Sequence, residues 1–119
     1  MNIERGVADA LKRYLQAYRA GDAAACAACY LPDGAIYSPY APPALGRRAI
    51  EDLHRGWTIE GAPDKTLDPV QIGGNGRVAW CFARFAEGDA TGAGWSLSIL
   101  EAQDDGSWLI RMSSLTSDE

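Results

Sequence analysis

At 119 residues, with 47% apolar and 23% charged residues, the chain has the size and make-up of one globular domain, and a single domain is expected over residues 1–119. A net charge of −5 argues against a nucleic-acid partner, which a basic stripe would announce. No run of about 18 apolar residues is present to span a membrane, no signal-peptide apolar region opens the chain, and three cysteines make no disulfide framework, so a cytoplasmic protein is expected.

Ile3, Val7, Leu11, Tyr14, Leu15 and Tyr18 recur at helical spacing and predict a first helix over roughly residues 3 to 20. Asn2 is placed to cap its start, and Gly21 to end it in the left-handed conformation. Asp22 caps a short, alanine-rich second helix from Ala23 to about Tyr30, which Pro32 stops. Asp33-Gly34 reads as a turn and residues 35–38 as a short strand. Pro39, Pro42 and Pro43 predict a stiff surface loop without regular structure. A third helix, from about Arg47 to Ile59, carries Ile50, Leu53, His54 and Trp57 on its apolar face. Residues 66–72 predict a strand, in which Pro69 asks for an edge position or a bulge. Gly73-Gly-Asn-Gly76 reads as a hairpin turn.

Residues 77–115 then alternate with a period of two and predict three long antiparallel strands, linked by residues 87–94 and 104–106. Both faces of these strands carry large apolar groups, so both are expected to be covered. Helices first and strands last give an α+β plan, with three N-terminal helices packed on a curved, mostly antiparallel sheet. Such a plan leaves a cavity between the layers, expected to be lined by Tyr14, Tyr18, His54, Trp57, Trp80 and Phe82. A mostly apolar hollow with a few polar groups is the default small-molecule site.

The segments Leu11–Asp22, Tyr30–Pro39 and Gly46–Ile50, with the last strand pair and its Asp-Asp-Gly turn, resemble the NTF2-like superfamily of cone-shaped domains. That superfamily includes the SnoaL-like cyclases and the ketosteroid isomerases. Against the isomerases, the resemblance implies that Tyr14 stands near the oxyanion tyrosine, with Tyr30 and His54 at two supporting-tyrosine positions, and that the three form a buried hydrogen-bonded set. The isomerases' two catalytic aspartates fall at Ser38 and Ser98, so steroid isomerisation is not expected: serine is a poor general base without a base beside it.

The resemblance also orients the sheet. With Ser98 inward, Ser96 and Leu100 are expected inward too, as are Trp80, Phe82 and Arg84, and Leu109, Arg111 and Ser113. An outward apolar patch of Phe85, Trp95, Leu97, Ile99, Trp108, Ile110 and Met112 would then pair two copies as a homodimer, as many superfamily members do.

Two functions follow from this reading. The first is a protein that binds a small apolar organic molecule through Tyr18, Tyr30, Trp57, Trp80, Phe82, Arg84, Ser98 and Arg111. If it is an enzyme, it is a SnoaL-like cyclase, isomerase or hydratase, with His54 as proton carrier, Tyr14 as oxyanion donor, and no metal or cofactor. The second is a non-catalytic ligand-binding or dimerisation module. Plain structural readings stand beside these. A lone histidine on an apolar helix face is most often a hydrogen-bonded core residue. Arg84 and Arg111 either clamp a ligand or pair with acids such as Asp33 or Glu101. Cys26-Ala-Ala-Cys29 has redox spacing but lies within a helix, away from a helix N-terminus.

Overall fold

The computed structural model describes residues 2–88 and 92–118; residues 89–91 of the link expected over 87–94 lie outside the described residues. Helix α1 (Ile3–Arg19) starts where the Asn2 side chain accepts from the Arg5 N–H at 3.0 Å. It ends at Gly21, whose φ of 71° is the left-handed conformation a residue with a Cβ avoids. Asp22 at once accepts from the Ala25 N–H at 3.0 Å and starts α2 (Ala23–Ala28), so the two helices form a tight hairpin. Helix α2 stops short of Tyr30. The Cys29 carbonyl accepts from the Ile110 N–H at 2.8 Å, and the chain passes directly into the sheet.

Among the described residues six strands follow, with α3 (Arg47–Trp57) between the second and third: β1 (Tyr30–Ser38), β2 (Ala41–Leu45), β3 (Thr66–Asn75), β4 (Val78–Ala86), β5 (Gly94–Ala102) and β6 (Trp108–Ser117). They form one sheet in the order β2-β1-β6-β5-β4-β3. Only β1 and β6 run parallel; the other neighbours are antiparallel. The three helices pack on one face.

Three local expectations are corrected. Pro42 and Pro43 lie in a strand, not a loop: β2 is an edge strand, and both prolines are exposed and outside its paired positions, so no ladder N–H is missed. Asp33-Gly34 is no turn but part of an irregular stretch of β1, between the pairs Tyr30–Ile110 and Ala35–Met112. Gly73, Gly74 and Asn75 belong to β3, and the hairpin turn shrinks to Gly76-Arg77. Gly73 is opposite Trp80, and a Cβ there would stand 2.5 Å from the indole, so the ring fills the place of the missing side chain. Pro69 does mark a bulge in the other edge strand, where the register shifts before Gln71.

Directly opposed residues in antiparallel strands share a face. Ser98 is buried on the helix side, and its partner Cys81 is too; with Cys81 go Ala79, Ala83 and Phe85. Trp80, Phe82 and Arg84 therefore face outward, opposite to expectation, and Phe85 faces inward. Small Ala and Cys side chains let the helices lie close to β4, while its larger aromatics fill the outer face. In β6 the register shifts at Arg111, between the pairs Leu100–Ile110 and Ile99–Met112. Such a bulge reverses which alternate residues face inward. Trp108 and Ile110 before it, and Ser113 after it, are buried. The expectations that Trp108 and Ile110 face outward and that Arg111 faces the cavity are corrected accordingly. Trp108 packs so closely under α1 that a Cβ on Gly6 would stand 2.5 Å from its Nε1. The main core joins Val7, Leu11, Ile36, Ile50, Leu100, Trp108 and Ile110.

Candidate functional site

Between the helices and the sheet lies a narrow cavity of about 40 Å³, walled by Leu11, Ile36, Leu67, Phe85, Ile110 and Leu115. It adjoins a wider mouth of about 350 Å³, lined among others by Tyr18, Tyr40 and Glu87. Trp57, Lys65, Phe85 and Leu115 line both hollows and form the neck between them. Of the predicted ligand contacts, Tyr14, Tyr30, Trp57 and Ser98 line the inner cavity and Tyr18 the mouth. Trp80, Phe82, Arg84 and Arg111 do not line either.

Three polar groups converge on this space. On the helix side, His54 Nδ1 lies 2.8 Å from the Ile50 carbonyl, and Nε2 lies 2.7 Å from the Tyr14 hydroxyl. A carbonyl can only accept, so Nδ1 carries the proton and Nε2 accepts from Tyr14. His54 is fully buried, and burial lowers its pKa to about 4. Burial also raises the Tyr14 phenol well above its ordinary value. The two shifts move apart and keep the shared proton on Tyr14, so the pair is neutral. His54 sits behind Tyr14 and does not itself line the cavity.

On the sheet side, three hydroxyls form a chain. Tyr30 Oη is 3.0 Å from Ser113 Oγ, which is 2.8 Å from Ser98 Oγ. All three residues line the cavity, with Ser96 beside them. The inward parity of Ser96 and Ser113 is readable from Ser98 in the sequence, but nothing there marks them as polar partners of Tyr30.

At the neck, Lys65 Nζ donates to Glu87 Oε1 at 2.8 Å, and the Tyr18 hydroxyl donates to the same oxygen at 2.9 Å. The ammonium lies 4.4 Å from the Tyr18 ring centroid and 4.7 Å from that of Phe85. Burial lowers the Lys65 pKa, and the bond to Glu87 opposes the shift. Sequence reasoning missed both residues. Lys65 follows Pro63-Asp64 in a loop, and only the tertiary fold turns its side chain inward.

The two arginines have acid partners on the other face. Arg111 Nε donates to Glu101 at 2.8 Å, and its Nη1 to Asp33 at 2.7 Å. Arg84 pairs with Asp118 through both terminal nitrogens and lies over the Trp95 ring. Ser38, half-buried at the end of β1, accepts from the Tyr40 N–H and does not line the cavity. Burial raises the Cys26 thiol to about 12, away from thiolate chemistry. Among the described residues, no cluster of three His, Cys, Asp or Glu side chains is placed to hold a metal ion.

The family model of the SnoaL-like domain matches residues 11–109 of this layout. The chain belongs to the SnoaL-like domain family. No curated protein matches it in sequence. Solved structures match it in fold. A ketosteroid isomerase-like protein from Erwinia carotovora atroseptica superposes with a TM-score of 0.80 at 19% identity, over 97% of this chain and 95% of that one. An NTF2-like protein with a cystatin-like fold from Novosphingobium aromaticivorans gives 0.78 at 19% identity, over 98% and 82%. A Catenulispora acidiphila protein, in complex with S-DNPA, gives 0.76 at 18% identity, over 97% and 92%. At these identities the likeness is one of fold. In this SnoaL-like domain the family scaffold is kept, and the polar groups at its cavity are Tyr14–His54, the Tyr30–Ser113–Ser98 chain and Lys65–Glu87.

Proposed function

We propose that this SnoaL-like domain binds a small, mostly apolar organic molecule in the cone, with its body in the mouth and its inner end at the neck. The observation that supports this most is the continuity of the hollow: aliphatic walls, a hydroxyl floor and an open mouth meet at one neck. Family membership and the S-DNPA complex of a protein of the same fold point the same way. Two further parts of the proposal are a cytoplasmic location and pairing of two copies through the outer sheet face. Three free, buried cysteines support the first. Among the described residues, no helix is long and apolar enough to cross a membrane.

A catalytic reading, as a cyclase, isomerase or hydratase without metal or cofactor, has one observation in its favour: the Tyr14 hydroxyl lies on the cavity wall with His54 behind it. The Tyr14 O–H already donates its hydrogen bond to His54 Nε2, and Nδ1–H is committed to the Ile50 carbonyl. The histidine can reach a guest only through Tyr14, and the pKa shifts of the pair oppose that transfer. The binding reading is therefore the stronger.

One experiment tests both readings. Small aromatic and alicyclic ketones and acids are screened for a rise in melting temperature, and the hits are followed for turnover. Leu115→Trp, which plugs the neck, is expected to abolish the shifts without lowering the melting temperature of the free protein. A library in which no compound shifts the unmodified chain rejects the pocket as a binding site. Turnover that His54→Gln removes, with binding kept, would restore the catalytic reading.

A further inference from the structure

Lys65 is a charged side chain at the neck with 7% of its area exposed. Among the described residues that line the inner cavity, it is the only charged one. Glu87, its partner, lines the mouth alone and keeps 32% of its side chain exposed. The two charges are thus not equivalent from within. Lys65 borders both hollows, so a guest seated at the neck lies against its side chain, while the more exposed Glu87 carboxylate stands on the solvent side, where water screens it.

The ammonium is also held in place. The Lys65 carbonyl accepts from Arg19 Nε at 2.7 Å, which fixes the backbone. The Tyr18 and Phe85 rings flank Nζ, and aromatic faces favour a cation without offering it a hydrogen-bond acceptor. Glu87 Oε1 takes one of the three N–H groups of Nζ. A second acceptor at the neck would complete a charge-assisted pair in a low-dielectric setting, where such bonds are strongest.

Resting on the ligand-binding reading above, we propose that Lys65 selects the ligand: the guest is an organic acid seated at the neck, with its carboxylate on the Lys65 ammonium and its apolar body against Trp57, Phe85 and Leu115. Glu87 is then the resident counter-ion that the ligand carboxylate competes with. That role gives the two residues opposite effects. Removing the lysine charge abolishes the preference for an acid, and removing the glutamate charge strengthens it.

The test uses phenylacetate and its neutral isostere phenylacetamide, titrated by calorimetry into the full chain. The unmodified chain is expected to prefer phenylacetate by about tenfold or more, the scale of one hydrogen bond to a charged group. Lys65→Met is expected to bring the ratio close to one, and Glu87→Gln to raise the ratio. A salt bridge with only a structural role predicts parallel losses for both probes in both variants, and that result overturns the proposal. Equal binding of the two probes to the unmodified chain overturns it while leaving the pocket standing; binding of neither sinks the ligand-binding reading with it. Should Lys65→Met fail to fold, Glu87→Gln decides alone, since a ratio that is unchanged or lower rejects the assignment.

Discussion

His54 carries no charge in the folded chain at neutral pH, and that has a measurable consequence. In the unfolded chain the imidazole takes up a proton near its ordinary pKa of about 6.5, whereas in the folded chain burial delays this until about 4. Between those values the unfolded state binds the extra proton, so stability falls as pH falls through the window and is intact above it. The full loss is on the order of 3 kcal/mol. Urea unfolding at a series of pH values should show it, and His54→Gln should flatten the slope between pH 6.5 and 5; a variant with an unchanged slope would assign the loss to other groups. The family resemblance implied a buried hydrogen-bonded set of Tyr14, His54 and Tyr30; the three rings do lie close together, but only Tyr14 and His54 are bonded to each other. The other hydrogen bonds were not legible in the sequence. Tyr30 turns to Ser113 and the Ile50 carbonyl takes Nδ1, and both choices depend on distances across layers.

At the scale of elements, β4 and β6 show where alternation stops being informative. A period of two says that two faces differ, and it does not say which face is inside. The bulky residues of β4 look like core and lie outside, because the helices come close enough to demand Ala79, Cys81 and Ala83 beneath them. In β6 the single extra residue Arg111 reverses parity, and its guanidinium is drawn outward to Glu101 and Asp33. The close β5–β6 spacing has its own test. A Cβ on Gly94 would lie 1.8 Å from the Thr116 carbonyl oxygen and 2.9 Å from the Phe85 ring. Gly94→Ala should cost about 2 kcal/mol or more, the scale of overpacking against backbone. A loss within about 0.5 kcal/mol, typical of a surface change, would show that the strands can part at no cost.

For the whole molecule, the outer sheet face remains the least satisfied surface. Phe82 and Trp95 stack at 4.7 Å between ring centroids, and Val78, Trp80 and Leu97 stay exposed around them. Phe85, Trp108 and Ile110 leave the expected patch for the core, and Val78, Trp80 and Phe82 take their place on it, so the outer face stays apolar although its members change. Arg84–Asp118 and Arg111–Glu101 are polar pairs on the same face. If two copies meet here, Leu97→Glu buries an unpaired charge and should shift the solution mass from dimer toward monomer, as light scattering would read it. A mass that stays the same in the variant rejects this face as the contact.

The sequence by itself determined the class of fold and the order of its parts apart from β2, whose prolines it reads as a loop. Helix caps at Asn2 and Asp22, the Gly21 break, the apolar stripe of α1 and the two-residue period of β4 act locally, and each of them holds in the structure. Tertiary structure alone decided which sheet face is the inside, which strand the prolines of β2 could join, and that Lys65 turns inward to meet Glu87. Facing, register and the pairing of distant charges are set by how layers close on one another, and closure sums contacts between residues far apart in the chain.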